Sequence, residues 1–167
     1  MGSRPDSPAP PTRLAWRPVS CRADYTVGEW RAIRHAPTYA GQMISTTEHG
    51  RAFWETLSLA RAFENARADA PTSELLDDIV ADRPHVGRLR VRSSDDARDH
   101  AVKRLRAAVA IIEKKGDAAD ARAYRRFALN VAETVASAFP ASGRRHSPAE
   151  EEVLAGIAEG LGIERRS

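Results

Sequence analysis

Residues 93–139 read SSDDARDHAVKRLRAAVAIIEKKGDAADARAYRRFALNVAETVASAF, and their apolar spacing decides the fold. Between Asp95 and Ile112 the apolar side chains fall at Ala101, Val102, Leu105, Ala108, Val109 and Ile112. Steps of three and four residues put them on one stripe of a helix. Ser93 or Ser94 supplies an N-cap, and Asp95 and Asp96 place carboxylates at the positive end of the helix dipole. Lys114, Lys115 and Gly116 mark the stop, glycine being free to take a left-handed cap. A second helix is predicted from about Asp117 to Phe139, with Tyr124, Phe127, Ala128, Val131, Ala132, Val135, Ala138 and Phe139 inward. Pro140 prevents its continuation. So short a connection makes the two helices antiparallel neighbours. The expectation is an all-α fold, one compact bundle of six to seven helices around this long hairpin, its two stripes pressed together.

Composition sets the class. The chain has 167 residues, enough for one domain with a real core. Apolar residues make up 42% and charged residues 29%, as in ordinary soluble proteins, and the longest apolar run, Ala107 to Ile112, is far too short to span a bilayer. One cysteine, Cys21, excludes an internal disulfide framework and fits a reducing cytoplasm. The net charge is only +3, and lysine occurs only at Lys103, Lys114 and Lys115. Heavy alanine and arginine usage reads as the bias of a GC-rich bacterial genome rather than as a nucleic-acid signature.

The rest of the chain supplies shorter helices. Residues 1–24 are rich in proline, serine and arginine and are expected to form an extended or disordered tail ahead of a helical domain over 25–167. Within the tail, Leu14, Trp16 and Val19 are apolar enough to dock on the body or on a second subunit. Thr26 to Glu29 fits a capping box, with Trp30 and Ile33 facing inward. Pro37 is expected to end that helix at His35 and start another, lined by Ala40, Met43 and Ile44. After a turn at 45–50, a longer helix carries Phe53, Leu57, Ala60 and Phe63 inward, with Trp54 on its flank. Ala70 to Ser73 opens a helix with Leu75, Leu76, Ile79 and Val80. Residues 87–92 alternate arginine with apolar side chains, as a short strand or, with no second strand to pair, an extended connector. Ser147, Pro148 and Glu150 announce a final helix with Val153, Leu154, Ile157 and Leu161 inward, ended by Gly160 and Gly162.

Two stretches share a plan. Gly41 to Phe63 and Leu129 to Gly162 each join an apolar helix end, a polar turn with a glycine (Gly50, Gly143), and a helix carrying an early glutamate (Glu55, Glu151). With Glu29-Trp30, Ala36-Pro37 and the run Ser147 to Gly162, this twice-used unit resembles the TerB-like family of bacterial helical domains associated with tellurite resistance. The resemblance spans about Thr26 to Ile163 and implies acidic metal-binding turns. In the first turn Glu48, His49 and Glu55 are the candidates for a divalent metal; the second, Pro140 to His146, has no carboxylate. No other cofactor is implied.

Other candidates carry less chemistry. His35, His85, His100 and His146 show no ligand spacing, and Asp95, Asp96 and Asp99 are explained as first-turn acids. Arg88, Arg90, Arg92, Arg98, Lys103, Arg104 and Arg106 lack interleaved aromatics and lie among aspartates, so nucleic-acid binding is not favoured. Trp30, Met43, Trp54 and Tyr124, with Phe53 and Phe127, are the candidates for an interhelical apolar pocket. No catalytic motif is present. The expectation is a non-enzymatic cytoplasmic module acting through protein partners or self-association; the alternative is a small helical enzyme or ligand-binding protein using that pocket.

Overall fold

A computed structural model gives the fold of residues 20–46, 52–69, 73–82, 84, 93–138 and 147–163. Six α-helices occur among them: α1 (Val27–Thr46), α2 (Ala52–Ala68), α3 (Glu74–Ala81), α4 (Ser94–Lys115), α5 (Ala118–Ser137) and α6 (Pro148–Gly160). A short 3₁₀ turn, Arg22–Asp24, precedes α1, and no strand is found among the described residues. The alternating segment 87–92, the turn 47–50 and the turn 139–146 lie outside the described residues.

The helix ends form where the local chemistry directs. Ser73 accepts a hydrogen bond from the amide of Leu76, Ser93 from Asp96, and Asp117 from Asp120, one free first-turn N–H each. Thr26 and Glu29 make the expected reciprocal box, with N···O distances of 2.8 and 3.3 Å. Ser147 and Glu150 do the same at α6, with Pro148 at its start. At the other end of α6, Gly162 takes φ +67° and the amide of Ile163 returns to the carbonyl of Ala158. Gly116 differs from expectation. Its φ of −91° is open to any residue. Space is what it lacks, since a Cβ there would lie 2.9 Å from Ser20 Oγ.

The predicted break at Pro37 is absent. Pro37 sits inside one continuous helix, α1. A proline in a helix interior has no N–H for the carbonyl four residues back, here that of Ile33. The structure supplies another donor: the hydroxyl of Tyr124, fully buried, donates to the Ile33 carbonyl at 2.7 Å. The helix survives its proline because a side chain of α5 takes the place of the missing amide.

The packing centres on α1. Both α4 and α5 make their broadest contacts with it, α5 also packs broadly on α2, and α4 and α5 touch each other less. The stripe Ala101, Leu105, Ala108, Val109 and Ile112 and the stripe Tyr124, Phe127, Ala128, Val131, Ala132 and Val135 are both buried. They converge on α1 more than on one another. Glu29 of α1 meets Lys115, and Tyr39 meets His100 edge-on at 5.6 Å, so α1 and α4 run in opposite directions. Gly41 faces Val131 and Val135, so α1 and α5 run the same way. A Cβ on Gly41 would lie 2.8 Å from Leu59, so this glycine brings α2 close as well.

The buried face of α2 is turned from the expected one. Leu59, Ala62, Phe63 and Ala66 are buried, whereas Ala60 is only half-buried. Phe63 meets Phe127 of α5 edge-to-face at 5.2 Å, a geometry adding about 0.5–1.5 kcal/mol beyond area burial. The side chains of Phe53, Trp54 and Leu57 lie outside the described residues. At the end of α5, Ala138 is exposed.

The body begins before the expected boundary at residue 25. Ser20 is buried, and its amide and hydroxyl both donate to Asp120. Residues 1–19 lie outside the described residues.

Two outcomes follow. Tyr124→Phe leaves the Ile33 carbonyl without its donor, which costs about 1–3 kcal/mol. In a Pro37→Ala background the amide of residue 37 satisfies that carbonyl, so the same change costs distinctly less; urea unfolding of the four proteins measures the coupling. An equal cost in both backgrounds would refute the substitution of hydroxyl for amide. The second concerns Glu29, whose carboxyl is held at about 2 by its hydrogen bond to Lys115 and by the Thr26 amide. The unfolded chain takes up this proton near 4.5, the folded one only near 2. The Glu29 contribution is therefore complete above about 4.5 and lost as pH falls toward 2. The Tm difference between the native protein and Glu29→Gln should shrink across that window.

Candidate functional site

Of the four residues predicted to line a pocket, the three whose side chains are described sit in packed interiors. Trp30 and Tyr124 belong to the main core, while Met43 packs in a separate small cluster with Ala101, Tyr39 and Val153. The polar ends of both aromatics are engaged: Tyr124 on Ile33, and Trp30 Nε1 donating to Asp82 Oδ2 at 3.2 Å. Burial pushes the Tyr124 phenol well above its ordinary range, so it stays a neutral donor. The side chain of Trp54 lies outside the described residues. What the expectation took for a lining is core, because each polar tip finds a partner within the bundle.

The metal candidates fall where nothing is described: Glu48 and His49 lie outside the described residues, as does the side chain of Glu55. Among the described residues no group of three His, Cys, Asp or Glu side chains is placed to hold an ion. His35 lies beside Arg34, and His100 against Tyr39; His85 and His146 are outside the described residues. The basic strip is divided as well. Arg98 and Arg106 face α6, Lys103 and Arg104 point to solvent, and Arg88, Arg90 and Arg92 are outside the described residues.

Two polar nodes and one groove remain. In the first node Asp82 accepts from Trp30 and pairs with Arg34 at 3.2 Å and Arg22 at 4.0 Å. Burial alone would raise its carboxyl, but the Trp30 hydrogen bond and the two guanidiniums outweigh that and hold it below the usual range. The second node is Asp120, 4% exposed in the first turn of α5. Its Oδ2 takes the Ser20 amide at 3.1 Å and the Ser20 hydroxyl at 2.5 Å; its Oδ1 takes the Ser73 hydroxyl at 3.1 Å. Both nodes tie helix ends together. No local sign marks the second in the sequence, because Asp120 looks like any first-turn acid and its partners lie 47 and 100 residues away.

The groove, about 440 Å3, runs between α4 and α6. Its floor is Val102, Ala155, Gly156 and Gly160; its rims are Arg98, Asp99, Arg106, Glu152 and Glu159. Gly156 and Gly160 are four apart and share one helix face, and that spacing was the sequence signal for it. A Cβ on Gly160 would sit 2.7 Å from Val102, and one on Gly156 3.3 Å from Arg98. Arg98 bridges to Glu152 at 3.4 Å and Asp95 at 3.6 Å. Arg106 donates to the Gly160 carbonyl at 3.3 Å, covering a C-terminal acceptor of α6. The room left by the two glycines is filled by Val102 and Arg98 of α4, and the rims carry both signs. The groove residues supply neither a histidine nor a hydroxyl nucleophile.

Gly160→Ala should force α4 and α6 apart. Overpacking of this kind costs about 1–3 kcal/mol, more than the helix-propensity gain of at most about 1 kcal/mol from replacing glycine. Val102→Ala in the same protein should recover part of the loss, measured by urea unfolding. Additive effects of the two changes would show that the contact is not tight.

No family model, curated protein or solved structure matches this chain.

Proposed function

We propose that the chain is a non-enzymatic helical module of TerB-like type, acting in the cytoplasm through protein partners in a stress- or resistance-related setting. The observation that carries this reading is how five of the described polar groups in the interior are used. Asp120, Glu150, Ser73 and the tips of Trp30 and Tyr124 all join helix to helix or cap a helix end. The twice-used unit of helix, turn and helix falls on α1–α2 and α5–α6, in keeping with the family plan. No described helix is long and apolar enough to cross a membrane.

The groove between α4 and α6 is the surface offered to a partner, its mixed rims selecting orientation more than affinity. A second reading, a ligand-binding protein or small enzyme, draws on the same groove, whose volume lies within the range of small-molecule sites.

Affinity purification from the native host, with the protein and its Glu159→Lys and Asp99→Lys variants, tests the choice. Both residues are exposed, so the variants should keep the native Tm. The expected result is a stoichiometric protein partner held by the native chain and weakened about tenfold by either variant. A small molecule co-purifying with the native chain, with no protein partner, would replace this reading by the second.

A further inference from the structure

The segment Ser20–Asp24 reaches four helices. Ser20 binds Asp120 of α5 through both its amide and its hydroxyl. The amide of Arg22 donates to Asp78 of α3 at 2.9 Å. The carbonyl of Asp24 accepts from Lys115 Nζ of α4 at 3.3 Å. The guanidinium of Arg22 stands 5.9 Å over the indole of Trp30.

The way it is held differs from the way the helices are held. None of Arg22, Ala23 and Asp24 is buried, and Cys21 is half-exposed. The core contacts begin only at Tyr25, 7% exposed and beside Trp30 at a ring distance of 6.4 Å. The segment is thus held by polar bonds, the Arg22–Asp82 ion pair and the Arg22–Trp30 cation–π contact, while α1, α4 and α5 are held by buried apolar side chains. Few buried apolar contacts and solvent-facing backbone mark a part that opens at lower free energy than the whole.

Asp120 takes two of the segment's bonds and so holds its first residue. Its carboxylate is buried and accepts from two hydroxyls and an amide. Burying such a group is unfavourable unless the hydrogen bonds made to it compensate. Lifting the segment removes two of those bonds and lets water replace them, so the carboxylate is rehydrated as the contacts are lost. The helix-capping bond between Thr26 and Glu29 starts α1 just after Tyr25 and places the hinge there.

We propose that Ser20–Asp24 is a releasable strap, opening as one unit while the helices stay folded, with Asp120 as its keeper and Trp30 beneath it. Closed, the strap covers one face of Trp30 and the Asp120–Ser73 pair. Open, it uncovers the Trp30 face beneath Arg22 and the Asp120 carboxylate, both away from the residues of the groove between α4 and α6. The strap stands whether or not the groove has a protein partner, since it rests on separate residues.

Amide hydrogen exchange followed by NMR on the full chain tests it. The amides of Ser20 and Arg22 should exchange at a common opening rate, at least about tenfold faster than those of Ala128 and Val131 in α5. Asp120→Asn keeps the shape but loses the charge assistance, and should speed exchange about tenfold at both Ser20 and Arg22. Arg22 is the informative site, because its amide binds Asp78 and not Asp120. The amides of Trp30 and Val131 should be unchanged. Should Asp120→Asn fail to fold, Ser20→Ala removes one hydroxyl only and is read at Arg22 in the same way. The strap is overturned if Ser20 and Arg22 exchange no faster than Val131, if the variant speeds Ser20 alone, or if it speeds Val131 equally.

Discussion

A buried carbonyl must find a donor, and in this protein that rule fixes how two helices meet. Pro37 removes one amide from the middle of α1, the helix on which α4 and α5 both lean. The Ile33 carbonyl it frees lies in the core, out of reach of bulk water, where an unmet acceptor costs more than a typical hydrogen bond gains. The Tyr124 hydroxyl meets it. One bond of defined length between two helices sets their axial register. With Tyr124 at Ile33, Gly41 two turns on faces Val131 and Val135, and there the missing side chain admits Leu59 of α2. The register of α2 follows, and Phe63 reaches Phe127. A proline that looks disruptive in the sequence thus selects one arrangement among the many a set of alanine-rich stripes would accept.

The polar groups complete the specification at the helix ends. Smooth alanine faces pack closely but slide easily, since they carry few knobs to lock them. Ser147 with Glu150, and Ser73 with Asp120, place hydrogen-bonded groups in the interior only where a helix starts and has free amides to offer. Asp120 serves two chains of contact at once. Its own amide is capped by Asp117, and its carboxylate gathers Ser73 from α3 and Ser20 from the strap. The α3–α5 end is therefore tied by several polar contacts, and the α1–α4–α5 interior by apolar ones around the Tyr124–Ile33 bond. The two kinds of bond respond differently to water, so one end of the molecule can loosen without the other.

What the sequence disclosed was local or periodic. The stripes of α4 and α5, the boxes at Thr26 and Ser147, and the caps at Ser93 and Ser73 depend on residues within a few positions of one another, and all were legible. The continuity of α1 was not, because the donor that rescues it lies 91 residues from the carbonyl it serves. The stripe of α2 was displaced, because both alternatives contain Phe63 and only the closeness of Gly41 selects the one through Leu59. Gly116 and Gly160 do stand where their helices end, as read, but the room they leave for Ser20 and Val102 was not legible. A glycine excused by conformation and one excused by crowding look the same in a sequence, and only φ and the neighbouring atoms separate them. The same limit applied to the pocket. Trp30, Met43 and Tyr124 share a type, but distant partners such as Asp82 decide whether each lines a space or fills one.

The groove and the strap lie toward opposite ends of α4, from Arg98 to Lys115, which at ~1.5 Å per residue are about 25 Å apart. Whether α4 could carry a signal between them depends on its freedom to move. Leu105, Ala108 and Ile112, midway along it, are fully buried. Close-packed interiors resist gradual displacement, and a helix transmits a change only where it has a second arrangement to adopt. Held through its middle by α1, α4 acts as a spacer that fixes the distance between two surfaces rather than as a lever that links them. A partner in the groove would then leave the strap's opening unchanged, so that two binding events on this small bundle stay energetically independent.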